Sequence, residues 1–216
     1  MKVFKKFSAI IILGRPGSGK DTQANLLADR FGLIHIISSK MIEETLKTPK
    51  KTVKLENKLY DIERERHHLR SGALVNLNFV AALVKDKIKK VARQGKGFIT
   101  SGSLRSLTEM KTDLPLIESL YGRDNMYIFH IKISPEEVYV RNLKRHRKDL
   151  PELDTKKIIE KRLRTFNKYT WPVIKLLKKQ KRIIDINGEQ KVMSIHRDIM
   201  AALNKTWLSQ SKAKKK

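Results

Sequence analysis

Between an apolar run at residues 7–13 and a helical stretch that starts at Lys20 lies the loop GRPGSG, with glycines at 14, 17 and 19. A buried strand, a glycine loop and a helix in that order form a cradle for phosphate. Glycine lets backbone N–H groups turn inward, and the first turn of the helix adds a partial positive charge. The general phosphate-loop pattern is glycine, four residues, then Gly-Lys-Ser/Thr. Gly14, Gly19 and Lys20 fit it, with Pro16, Gly17 and Ser18 between them. Lys20 is placed to reach the β- and γ-phosphates of a nucleoside triphosphate. The next position departs from the pattern: it is Asp21, and the hydroxyl follows at Thr22. Thr22 is the candidate Mg²⁺ ligand, directly or through water. Asp21 is compatible with the cradle. A carboxylate at a helix N-terminus is stabilised by about 0.3–1 kcal/mol, and its side chain can point outward while its N–H faces the phosphate.

The remaining chain alternates two periodicities. Strands are predicted at 33–37, 97–100, 126–133 and 182–186 after the first at 7–13. Helices are predicted at 20–31, from Met41, and at 74–93, 106–120, 135–147, 154–179 and 189–208. Leu55, Leu59 and Ile62 stand at helical spacing and predict a further helix through the charged segment 50–70. Strands that alternate with helices imply right-handed crossovers and a parallel sheet covered on both faces.

A length of 216 residues suits one such domain. No apolar run approaches the roughly 20 residues of a membrane span. The chain has no cysteine, which excludes disulfides and thiolate zinc sites and fits the cytoplasm. The formal net charge of +26 raises the question of a polyanionic partner. Residues 1–108 carry 22 Lys/Arg against 9 Asp/Glu and residues 109–216 carry 26 against 13, so each half is +13. That even division reads as a lysine-rich surface, and nucleic acid stays open as a partner only through this charge. The run KAKKK at 212–216 reads as a tail.

GRPGSGKDTQA resembles the loop of the adenylate kinase family of nucleoside monophosphate kinases, G-x-P-G-x-G-K-G-T-Q. Beyond it, ISSKM (37–41) is similar to the family's I-S-T-G-D-M segment and SGALVNLNFVAALVKDKI (71–88) to its G-x-L-V and following helix. GFITSGSLRSLTE (97–109) lies over G-F-[IL]-L-D-G-F-P-R-T-x-x-Q, and IIEKRLRTFNKYTWPVI (158–174) over R-L-x-x-Y-x-x-x-T-x-P-[LI]-I. The resemblance implies ATP and Mg²⁺ as cofactors and a nucleoside monophosphate as acceptor, with AMP first among the bases. It implies that Arg105 grips the monophosphate, with Ser38, Val75, Gly102 and Glu109 beside the same substrate, and that Arg162 contacts both phosphate groups. A further arginine before the lid serves the triphosphate; Arg141, Arg145 and Arg147 are all candidates, Arg147 being most like the one at the lid's edge.

Three positions depart from the family. Its D-G-F-P-R aspartate is Ser101, a second arginine on the monophosphate is Glu43, and the glutamine that reads the base is Glu109. Glu109 could accept only from an exocyclic amino group, as in adenine or cytosine. The expectation is an α/β P-loop sandwich of three layers with a five-stranded parallel sheet. The core is 7–37, 73–146 and 155–209, the helical monophosphate-binding insert 38–72, the short lid 147–154 and the basic tail 210–216. The catalytic set is Lys20, Arg105, Arg147 and Arg162, with Arg145 on the triphosphate, in a monomeric cytoplasmic enzyme. The alternatives are a degenerate nucleotide binder, which the three departures favour, and a nucleic-acid-associated NTPase, which the charge favours.

Overall fold

Six consecutive apolar or small residues bounded by the glycine loop make β1 (Ala9–Gly14) a strand buried on both faces. In this computed structural model, which describes residues 7–70, 75–145 and 155–213 (backbone only at 69, 70, 145 and 207–213), β1 is the centre of the sheet. The five strands are β1, β2 (Ile34–Ile36), β5 (Phe98–Thr100), β6 (Met126–Lys132) and β7 (Ile184–Asn187), in the spatial order β2-β5-β1-β6-β7. Every neighbouring pair is parallel, with Ile10 opposite Ile99 and Ile12 opposite Phe129. The expected five-stranded parallel sheet is therefore present.

The pleat sends alternate β1 residues to opposite faces. Ile10 and Ile12 meet Ala24 and Leu27 of α1 (Lys20–Phe31) and Ile195 and Ile199 of α9 (Val192–Ala213). Ile11 and Leu13 share the other core with Ile88 of α4 (Leu77–Arg93), Ile117 of α5 (Leu107–Tyr121) and Val173 of α8 (Trp171–Lys179). Two helical layers thus enclose the sheet, each fully buried Ile or Phe contributing on the order of 1.5–3 kcal/mol.

One element departs from expectation. Residues 50–70 are not one helix: after α2 (Ser38–Lys47) come β3 (Thr52–Leu55) and β4 (Lys58–Asp61), an antiparallel hairpin, and then α3 (Ile62–Arg70). The two turn residues Glu56 and Asn57 both have positive φ, 51° and 62°, the geometry of a tight hairpin turn. Val53 faces Tyr60 across the pair, whereas Leu59, read as a core position, is 64% exposed. Leu55 and Ile62 do go inward, against Leu46, Phe79 and Leu83. Three apolar residues fit either period, and cross-strand pairing decided between them.

The helix expected over 154–179 is divided into α7 (Lys156–Thr165), a π-helical turn (Phe166–Thr170) and α8. Pro172, in the first turn of α8, has no N–H to give the preceding turn, and the wider turn absorbs that break. Before α7, α6 (Pro135–Arg145) shares a small core with it through Ile133, Val138, Ile159 and Leu163. α9 runs on to Ala213, past residue 209, where the core was expected to end and the tail to follow from 210. The lid segment 147–154 lies outside the described residues.

Candidate active site

The loop between β1 and α1 is held open by its neighbours. Gly17 and Gly19 adopt φ of +79° and +84°, which turns the backbone sharply into α1. Asn142 of α6, fully buried, donates from its side-chain amide to the Pro16 carbonyl at 3.3 Å and the Val138 carbonyl at 2.7 Å. A side-chain carbon at Gly17 would collide with that amide at 2.5 Å. Arg15 leaves the cradle and donates to the Ile133 carbonyl. At the far end of the first turn, Gln23 is tied to the Val192 carbonyl at 2.8 Å. Gly19 caps α1 without a side chain, so no capping side chain occupies the helix N-terminus, where the partial positive charge favours an anion. The buried Ser18 hydroxyl makes no hydrogen bond among the described residues.

Beside the cradle is a cleft of about 240 Å³ lined by Asp21, Asn25, His35, Ile37, Ser38, Ser39, Ser101, Gly102 and Arg105. Ser101 and Gly102 follow β5 directly, and Ser38 opens α2, so ends of adjacent parallel strands β2 and β5 build its floor. This is the carboxyl-end crevice where open α/β sheets bind ligands. Gly102 is close-packed: a side-chain carbon there would stand 3.4 Å from the Ser38 hydroxyl and 3.5 Å from the Arg105 guanidinium.

Cradle and cleft meet at one contact. The Ser101 hydroxyl donates to the Asp21 carboxylate at 2.5 Å. Burial opposes ionisation of Asp21 most strongly, but Lys20, the Ser101 hydrogen bond, Arg105 and His35 together outweigh it and hold the carboxyl below its usual value. His35 shares a hydrogen bond with Asn25 at 2.7 Å, and burial lowers its basicity.

Arg105 is clamped through its backbone. Glu109 accepts from the Arg105 N–H at 2.9 Å, and Thr170 of the π-helical turn donates to the Arg105 carbonyl at 2.9 Å. Leu104, immediately before, is fully buried at φ 58°, a strained conformation for a branched residue. Ser106 caps α5 by accepting from the Glu109 N–H at 3.2 Å, so Ser106 and Glu109 form a capping pair. Burial, the largest influence, raises the Glu109 carboxyl above its usual value.

The structure therefore gathers Asp21, Ser38, Gly102 and Arg105 around one cleft, with Lys20 and Thr22 on the adjoining first turn. Val75 packs with the insert core, Glu109 is engaged by the helix end, and Arg162 is half-buried on α7; none of these three lines the cleft. Arg141 is tied to Glu137 at 2.6 Å and to the Gly188 carbonyl at 2.7 Å. Arg145 ends α6, and its side chain, like all of Arg147, lies outside the described residues. Glu43 points away to Lys47 at 2.6 Å. Asn25, His35 and Asn142 were missed from the sequence; His35 stands out there only as a polar residue within the apolar run LIHII, and the two asparagines carry no signal.

These features define a phosphate-loop nucleotide-binding protein with a second polar cleft beside the loop. The family model for adenylate kinase matches residues 12–182, and the chain belongs to that family. It is 27% identical to adenylate kinase 1 of Nostoc sp. over 90% of this chain and 97% of the relative. It is 30% identical to adenylate kinase 1 of Schistosoma mansoni, covering 93% and 94% of the two chains. With human adenylate kinase isoenzyme 1 the identity is 26%, covering 93% and 96%.

Proposed function

We propose that this chain is an ATP-dependent nucleoside monophosphate kinase that transfers the γ-phosphoryl group of ATP to a monophosphate acceptor, AMP foremost. The observation that carries the reading is the junction of an uncapped α1 N-terminus with a cleft containing Arg105. Two phosphate-seeking sites share one wall, as in-line transfer between two nucleotides requires. The cradle amides and Lys20 hold the donor phosphates, and Arg105 orients the acceptor phosphate. Arg162 and a lid-edge arginine, Arg145 or Arg147, offset charge as the phosphoryl group moves. The acceptor is already an ionised phosphate, so no general base is needed.

The donor set fits Mg²⁺: a hydroxyl at Thr22, a carboxyl at Asp21 held in its ionised form, and a hydroxyl at Ser101. When bound, the ion neutralises donor phosphate charge. Asp21 supplies from α1 the acid that the family places at the end of the third core strand, where this chain has Ser101. Residues 38–72 form the acceptor-side insert, residues 147–154 the lid, and residues 7–37, 73–146 and 155–209 the core. We place the enzyme, as a monomer, in the cytoplasm, which the lack of cysteine supports.

The test is single-turnover ATP consumption with no acceptor and with AMP, CMP, UMP or GMP. Consumption that requires an acceptor, fastest with AMP, is the expected result. ATP loss without any monophosphate identifies an NTPase, and binding without consumption identifies a degenerate nucleotide binder.

A further inference from the structure

The equal halves of the charge count conceal one concentration. Residues 155–182 hold eleven Lys/Arg and a single acid, Glu160, which places ten of the 26 net positive charges in 28 of 216 residues. This segment is the continuous rod α7, π-helical turn and α8. Its inner face is spent on the core: Ile159 and Leu163 pack against Val138, while Phe166, Val173, Ile174 and Leu177 pack under the sheet. Lys157, Lys161, Arg164, Lys168, Lys175 and Lys179 are all exposed, at helical spacing on the opposite, outward side. Among the described residues none of these six makes an ion pair, whereas their neighbours Lys178 and Arg182 are paired to Asp185 and Glu118. Midway along the ridge Tyr169 is 47% exposed, with the Lys168 ammonium 5.2 Å from its ring centroid.

Six unpaired cations in a row repel one another and are stabilised by a polyanion. From this ridge we propose a second function: a binding surface for single-stranded nucleic acid, RNA in the first instance, separate from the kinase cleft. Lys and Arg follow the phosphates along roughly 35 Å of rod, the length of 24 residues at about 1.5 Å each. Tyr169 offers a face on which an unpaired base stacks, which a duplex does not provide. An anionic membrane is the poorer fit. Lying in a bilayer surface takes an apolar face as well as cations, and the apolar face of this rod is buried in the core.

The experiment is fluorescence anisotropy of the full chain with a labelled 20-nucleotide single-stranded RNA between about 50 and 200 mM salt. The ridge variant is K157Q/K161Q/R164Q/K168Q, and the control K111Q/R123Q/K191Q/K205Q removes the same charge from exposed positions on other faces, outside the insert. None of these residues belongs to the kinase machinery, so an unchanged ATP–AMP transfer rate verifies folding of both. The ridge variant should weaken binding at least tenfold and lower the salt slope by about three, since each single-strand phosphate contact contributes about 0.7. The control should change affinity less than threefold. Tyr169→Ala should weaken binding by about tenfold and leave the salt slope as it was. Equal losses in ridge and control would reduce the effect to diffuse charge and overturn the proposal. So would an unaffected ridge variant, no effect of Tyr169→Ala, or tighter binding to phosphatidylserine vesicles than to RNA.

Discussion

Ser101 and Asp21, 80 positions apart in sequence, are joined by a 2.5 Å hydrogen bond in which the hydroxyl donates to the carboxylate. The contact puts an acid of the first helix against the end of β5. If Asp21 performs the role of the displaced strand acid, the two positions are coupled. Asp21→Gly should lower Mg²⁺-dependent kcat by at least tenfold, and Ser101→Asp added to it should restore most of the loss. Mn²⁺ affinity of the nucleotide complex, read by electron paramagnetic resonance, should follow the same order. Effects of the two substitutions that simply add in the double variant would show that they act independently.

Lys20 is the only side-chain cation that the cradle itself supplies, since Arg15 turns away to the Ile133 carbonyl. Lys20→Ala should cut kcat by two or more orders of magnitude, about 2.7 kcal/mol or more in the barrier, with the melting temperature nearly unchanged. Retention of a tenth of the rate would remove Lys20 from the transfer step.

Glu109 holds the backbone of Arg105 and the start of α5 together. Glu109→Ala should destabilise the fold by about 1 kcal/mol and raise KM for the monophosphate more than KM for ATP. Glu109→Gln, which keeps an acceptor oxygen and removes a partly buried charge, should preserve stability and lower KM for AMP. Identical KM changes for both nucleotides in Glu109→Ala would argue against an anchoring role at Arg105.

At the opposite edge of the site-bearing sheet, Asp185 accepts from Lys178 at 2.6 Å and shares a hydrogen bond with His130 at 2.9 Å. Burial opposes ionisation of Asp185, yet the hydrogen bonds from Lys178 and His130 and their charges leave its carboxyl below the usual value. A depressed carboxyl stabilises the fold above its unfolded value, about 3.9, and that contribution disappears as pH falls through the folded value. Burial also lowers the basicity of His130, so stability begins to fall already as pH drops below about 6.5. Chemical denaturation from pH 8 to 3 should therefore show two acid steps. Asp185→Asn should flatten the lower one, with a loss at pH 7 of on the order of 1 kcal/mol because the carboxylate is partly solvated.

The phosphate cradle was legible because its chemistry is local. Residues 9–22 supply strand, turn and helix start within one continuous stretch, and Gly17 and Gly19 sit at the positive-φ positions that the turn demands. The alternating periods of the core elements were legible for the same reason: burial on both faces of a parallel sheet leaves unbroken apolar runs such as residues 9–13. The hairpin was not, because Leu55, Leu59 and Ile62 satisfy one helical period as well as they satisfy two short strands and the helix start that follows them. Only the pairing of Val53 with Tyr60 and the turn at Glu56 and Asn57 selected the second. Nor does sequence reveal that Glu109 is used by the Arg105 backbone, that Asn142 closes on Pro16, or that Ser101 reaches Asp21. Those relationships link residues from separate strands and helices. A side chain's partner is decided by which elements the sheet order brings side by side, and that order is a property of the packed molecule.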